Sequence, residues 1–257
     1  MRQFGGLIIG LFLGLVMLVG GSKVGFAARS NAHLQSHVFR PFVLSEHVTH
    51  FSQKNVGVKE VDWTIARRAD GSLVESFNVK DSDSPDGNER IAVFIWDVPS
   101  RRNIMLEPFT KSAMTQFRSP KEIADFLSSQ QACSDAIVSA NSGRSTEQFL
   151  GYTVVRLEET SKAMNTISWV APDLDCFPLR QTVTFLEPAH AGLHHEDVAT
   201  KIDEVEPPSS MFDVPWDYIE RSPAEIQAEY SRKFGGVQFW GTSVDDAERQ
   251  YRQHQAH

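Results

Sequence analysis

The chain has 257 residues, a formal charge of −8 and 33 acidic against 25 basic side chains. So acidic a body repels phosphate backbones, and with no basic stripe interleaved with aromatics it excludes nucleic acid as a partner. The length suits one sizeable domain, or one domain with a helical appendage.

The first residues carry Arg2 and then an apolar run over residues 7–19. That run is shorter than the ~20 residues a membrane span needs and has the length of a signal-peptide core. Gly25 and Ala27 put small residues at the positions a signal peptidase reads, so residues 1–27 are expected to be a signal peptide cut before Ala28. An uncleaved anchor is the alternative, because Lys23 follows the run as a stop signal would. No later stretch approaches spanning length, so no membrane insertion is expected after cleavage. Removing Arg2 and Lys23 leaves 23 basic against 33 acidic side chains, a charge of −10 on the mature chain.

The expected location is periplasmic or secreted. There Cys133 and Cys176 would pair as a disulfide. They stand 43 positions apart, for which loop-closure entropy gives about 4 kcal/mol. Without CxxC spacing they make a poor zinc site and a poor redox pair.

Residues 28–57 show no clear period and read as an irregular arm or a short first helix. From Glu60 the pattern alternates. Val61, Trp63 and Ile65 point one way, Asp70 and Gly71 turn the chain, and Leu73, Phe77 and Val79 follow at even spacing, which predicts a hairpin with Gly71 left-handed in the loop 69–71. Residues 80–88 are a solvated loop, and residues 90–96 read as a strand covered on both faces, with 103–107 as its hairpin partner.

Ser119, Pro120 and Glu122 form a helix start with Ile123, Phe126 and Leu127 on its apolar face. Strands are expected at 149–157, 164–170, 179–186 and 198–205. A second capping box at Ser222, Pro223 and Glu225 starts a helix bearing Ile226, Tyr230 and Phe234, which Gly235 and Gly236 stop. The tail from Ser243 is a short polar helix without a substantial apolar face. About seven antiparallel strands with few helices predict an α+β fold: a curved, unclosed antiparallel sheet with helices on one side. The expected division is residues 1–27 as signal peptide, 28–220 as a single α+β domain and 221–257 as a C-terminal helical extension.

His190, His194 and His195 beside Glu196 and Asp197 bring metal-ligand types together. Gly192 interrupts a helix there and neighbouring histidines point apart in a strand, so a solvated loop is expected. His33 with His37, and His47 with His50, lack a third ligand and read as surface residues. There is no G-x-S-x-G elbow, and Gly235 and Gly236 end a helix rather than cradle a phosphate. No catalytic, cofactor-binding or metal-binding residue is therefore assigned, and an enzyme is the least favoured class. Trp63, Phe77, Phe94, Trp96 and Trp169 all fall on predicted strands and would line the concave side of a curved sheet, where an apolar ligand fits. A packed core is the competing reading of each.

The hairpin over residues 63–79, the run Ile91-Ala92-Val93-Phe94-Ile95-Trp96-Asp97 leading to Leu106-Glu107-Pro108, and the passage from Trp169-Val170-Ala171-Pro172 through Cys176-Phe177-Pro178-Leu179-Arg180 together resemble the LolA-like superfamily. These are periplasmic lipoprotein carriers and relatives whose fold is an unclosed β-barrel with helices plugging its open side. The resemblance spans about residues 50–215 and implies the fold. No binding-site residue of the carriers has a match here, and neither the cysteine pair nor the C-terminal helices belong to the carrier pattern. The resemblance implies an envelope protein whose partner is a lipid or lipoprotein ligand. The alternative is an interaction or sensor module whose partner is another envelope protein.

Overall fold

The computed structural model describes residues 37–51, 57–79, 86–130, 146–186, 193–235 and 244–255. The proposed signal peptide and Cys133 lie outside the described residues. In chain order the first strands are β1 (Phe42–Phe51), β2 (Gly57–Arg67), β3 (Leu73–Val79), β4 (Arg90–Asp97), β5 (Arg102–Glu107) and β6 (Ser112–Phe117). Helix α1 (Pro120–Gln130) follows, then β7 (Thr146–Phe149), β8 (Tyr152–Thr160), β9 (Met164–Ala171), β10 (Phe177–Phe185), β11 (His194–Asp203) and β12 (Ile219–Glu220). Helices α2 (Pro223–Phe234) and α3 (Val244–Gln255) end the chain.

The class is α+β. The strands hydrogen-bond in the order β12-β6-β5-β4-β3-β2-β1-β11-β10-β9-β8-β7, and the ladder ends at β12 and β7 without closing. Strand β12 pairs in parallel with β6. Contacts gather into two compact units, one within Ser72–Ser129 and Pro208–His257, the other within Val38–Gly71 and Gln130–Pro207.

In the first unit, β3 to β6 form an antiparallel meander, and both helix starts are built as expected. Ser119 Oγ accepts from the Glu122 amide at 3.3 Å while the Glu122 carboxylate accepts from the Ser119 amide at 2.9 Å. Ser222 and Glu225 make the same reciprocal pair. Gly235 ends α2 in the left-handed conformation at φ 71. Ile226 and Tyr230 of α2 pack on Val79, Phe94, Met105, Phe109 and Met114 of the sheet and its loops. Phe126 of α1 stacks on Trp96 at 4.2 Å between ring centroids. Phe94 and Trp96 are two apart on β4, so both helices cover the same face. The tail differs from expectation in having an anchor: Tyr251 of α3 packs against the α2 cluster, Gln255 Nε2 donates to the Thr115 carbonyl at 2.6 Å, and Glu248 accepts from the Ala224 amide at 3.1 Å.

The second unit departs further from the sequence reading. Residues 42–51 are neither an irregular arm nor a helix but β1, paired antiparallel with β2 on one side and β11 on the other. Glu46 and His50 break the apolar alternation of this segment, and the long-range pairing decides its state. Residues 149–157 do not make one strand: Leu150 and Gly151, at φ 50 and 86, turn the chain between β7 and β8. Residues 194–197 are not a solvated loop. They open β11, which pairs through His50 opposite His195 and Val48 opposite Asp197. His194 stacks on Phe51 at 4.5 Å, and His195, on the other face, is buried. Gly71 closes the turn after β2 at φ 85, left-handed as expected.

A buried charge holds the second unit together. Arg67 at the end of β2 is wholly buried, and its Nε and Nη2 donate to the Arg40 carbonyl at 3.1 and 3.0 Å. Nη2 also donates to the Leu174 carbonyl at 3.0 Å and to Asp175 Oδ2 at 2.8 Å. The rings of Phe39, Phe42 and Phe177 surround the guanidinium, its carbon 4.7 to 5.9 Å from their centroids. Burial lowers its pKa to about 10 against the opposing pull of Asp175, so it remains charged at neutral pH.

Candidate functional site

The helix-covered face of the first unit follows from strand alternation. Leu73, Glu75, Phe77 and Val79 project to one side of β3, and the ladder sets Leu73 opposite Trp96, Glu75 opposite Phe94 and Phe77 opposite Ala92. On β5, Met105 faces Phe94 and Asn103 faces Trp96. Phe77 and Phe94 lie nearly parallel, 6.1 Å apart at 14°. The Arg118 guanidinium sits 5.3 Å from the Trp96 ring. Glu75, Phe77, Ala92, Trp96 and Asn103 are only half-buried, so this part of the face keeps contact with solvent.

Glu75 is the chemical anomaly of this wall. Directly opposed side chains in an antiparallel pair have Cβ atoms about 5 Å apart, and diagonal ones about 7 Å. Its carboxyl is therefore flanked by Phe94, Phe77 and Trp96. No hydrogen bond or ion pair reaches it from any described residue, and burial alone pushes its pKa up to about 7. Perturbed ionisation without a partner, on a partly open wall, marks a candidate binding position.

The same face carries a second acid in the opposite condition. Glu107, 1% exposed, accepts from the Phe109 amide at 2.9 Å, from the Thr110 amide at 2.7 Å and from the Thr110 hydroxyl. Burial raises its pKa while these bonds pull the other way. Glu107 holds the β5–β6 turn.

Of the five aromatics singled out by sequence, three meet here: Phe77, Phe94 and Trp96. Trp63 and Trp169 belong to the other unit. Trp63 is buried on β2 opposite Glu46. Trp169 lies on β9 between Arg156 and Arg180, whose guanidinium carbon is 4.5 Å above its ring. Cys176 packs with Val155 and Val170. Sequence reasoning missed Glu75, although a signal was present: it is the skipped member of the even-spaced series Leu73, Phe77, Val79, an acid at an inward position. Among the described residues no group of three His, Cys, Asp or Glu side chains is placed to hold a metal. His195 Nε2 stands 3.5 Å from Asp197 Oδ2, and its ring 5.6 Å from that of His50.

No family model matches the chain. No curated protein matches it either. Among solved structures it is similar to a LolA superfamily protein, NE2245 from Nitrosomonas europaea, at 8% identity and TM-score 0.35, covering 72% of this chain and 98% of that one. It is similar to the lipoprotein LppX of Mycobacterium tuberculosis at 11% identity and TM-score 0.32, covering 72% and 94%. It is also similar to PNGF-II at 10% identity and TM-score 0.31, covering 71% of this chain and 32% of that one.

Proposed function

We propose that this is an exported envelope protein that binds a lipid or other apolar ligand against the wall formed by Phe77, Phe94 and Trp96. The observation that carries the reading is the half-buried state of Phe77 and Trp96 beside Glu75, which has no partner among the described residues, on a face whose remaining apolar residues are sealed by α1 and α2. A wall that is only a core would not spend an inward position on a carboxylate. Export is supported by the apolar run at residues 7–19, and the Cys133–Cys176 disulfide is proposed with it. Native mass spectrometry of the mildly purified mature protein tests the whole reading. A stoichiometric lipid and a mass lighter by two hydrogens are expected. With an environment-sensitive acyl probe, Phe77→Ala should weaken binding about tenfold, as loss of a large apolar contact implies. A lipid-free protein that ignores the probe overturns the proposal.

A second reading, an envelope interaction module, is favoured by one observation. Trp216 is 96% exposed, and Ile219, three residues on at the start of the edge strand β12, is exposed as well. Exposed apolar side chains of this size mark contact sites when they cluster. A photo-crosslinker in place of Trp216 should capture one specific envelope partner, and the absence of any specific product removes this reading.

A further inference from the structure

We infer that the apolar ligand carries a positive charge, an ammonium or similar organic cation, seated between the Glu75 carboxylate and the rings of Phe77 and Phe94, beside a Trp96 ring already covered by Phe126 and Arg118. The inference rests on the proposed apolar site and names the chemical class of its occupant.

Each nearby cation is already engaged. Arg118 donates to Glu122 at 3.2 Å and to Gln116, and lies over Trp96. Arg90 pairs with Asp86 at 2.7 Å and covers the Phe109 ring at 4.9 Å. Arg102 pairs with Asp97 at 2.7 Å, and the Lys233 ammonium donates to the Phe109 carbonyl. None of them lies within ion-pair distance of Glu75. Nor do hydrogen bonds compensate it as they do Glu107, whose acceptors are taken up by Thr110 and two backbone amides. The Glu75 carboxylate is thus the one acid on this face with its bonding capacity open among the described residues.

Three classes of apolar ligand could meet such a wall. An anionic head would be repelled and would drive Glu75 further towards its neutral form. A neutral head gains at most a hydrogen bond that a glutamine would provide without the cost of a buried charge. A cation gains twice: it compensates the carboxylate, and it meets the negative faces of the aromatic rings, the pairing used wherever proteins recognise organic ammonium groups. A cation also favours the ionised carboxylate, so its binding releases a proton wherever the free carboxyl is protonated.

The test compares three probes with equal ten-carbon tails, kept below their micelle concentrations: decyltrimethylammonium, decyl sulfate and decyl glucoside. Binding is followed by isothermal titration at pH 8 to the mature protein and to Glu75→Gln. The cationic probe should bind at least tenfold more tightly than the other two. Glu75→Gln should abolish that preference, bringing the three affinities together, while Phe77→Ala weakens all three and keeps their order. A glucoside or sulfate that binds as tightly as the cation, or a preference that survives Glu75→Gln, overturns the inference and leaves the apolar site standing. Failure of all three probes to bind removes both.

Discussion

Arg67 and Glu75 are eight positions apart and belong to different units, and the protein treats them in opposite ways. Around Arg67 the second unit places two backbone carbonyls, the Asp175 carboxylate and three phenyl rings. It thereby ties the segment before β1 to the β9–β10 connection, where Asp175 and Cys176 both adopt positive φ. Around Glu75 the first unit places aromatic rings and no described polar partner. A buried charge held by a carboxylate and two carbonyls is a structural joint; a half-buried carboxylate with no partner among the described residues is a cost that folding does not recover and that a ligand can.

The largest effect should come from breaking the joint. Arg67→Met leaves the Arg40 and Leu174 carbonyls and the Asp175 carboxylate without their donor, and should destabilise by about 3 to 5 kcal/mol in denaturant unfolding. A loss below about 1 kcal/mol would show that the rings alone suffice and would break the comparison.

Next in size, and opposite in sign, is Glu75→Gln. Because the folded pKa, about 7, lies above the ordinary value of 4.5, the native state holds its proton more tightly than the unfolded chain. The stabilisation is complete below pH 4.5 and is lost as pH rises to 7. The variant should match the parent at pH 4 and exceed it at pH 8, by at most about 3 kcal/mol. Equal unfolding curves at both pH values would mean that the carboxyl is solvated and the wall ordinary.

The smallest effect is confined to one unit. Ser222→Ala removes the cap that orders α2 over the Glu75 face and should cost about 1 kcal/mol. Amide exchange should quicken at Ile226 and Tyr230 and stay unchanged at Arg67. Equal quickening in both units would mean that the two charges sit in one cooperative structure.

Much of the first unit was legible because its signals are local. Ser119-Pro120-x-Glu122 and Ser222-Pro223-x-Glu225 specify helix starts within four residues, and a left-handed glycine needs no distant partner. The second unit was less legible because its first strand depends on partners far along the chain. Glu46 and His50 occupy inward positions of β1 that alternation reserves for apolar side chains, and β1 is a strand because β2 and β11 flank it. His195 was misplaced for the same reason: a histidine next to acids reads as solvated until the ladder turns it inward. Phe77 was singled out on an alternating strand and Phe94 and Trp96 on a continuously apolar one, but neither pattern can say which carboxylate will lack a partner.

By itself the sequence determined the α+β class, the helix caps, the turn at Gly71, the acidic character and the aromatics of the candidate wall, since each depends on side chains within a few residues or on composition alone. Only the tertiary structure decided that β1 and β11 are paired strands, that Arg67 is a joint and that Glu75 has no partner among the described residues. Whether a buried charge finds a partner depends on which strands and loops meet it in space, and no local pattern encodes that.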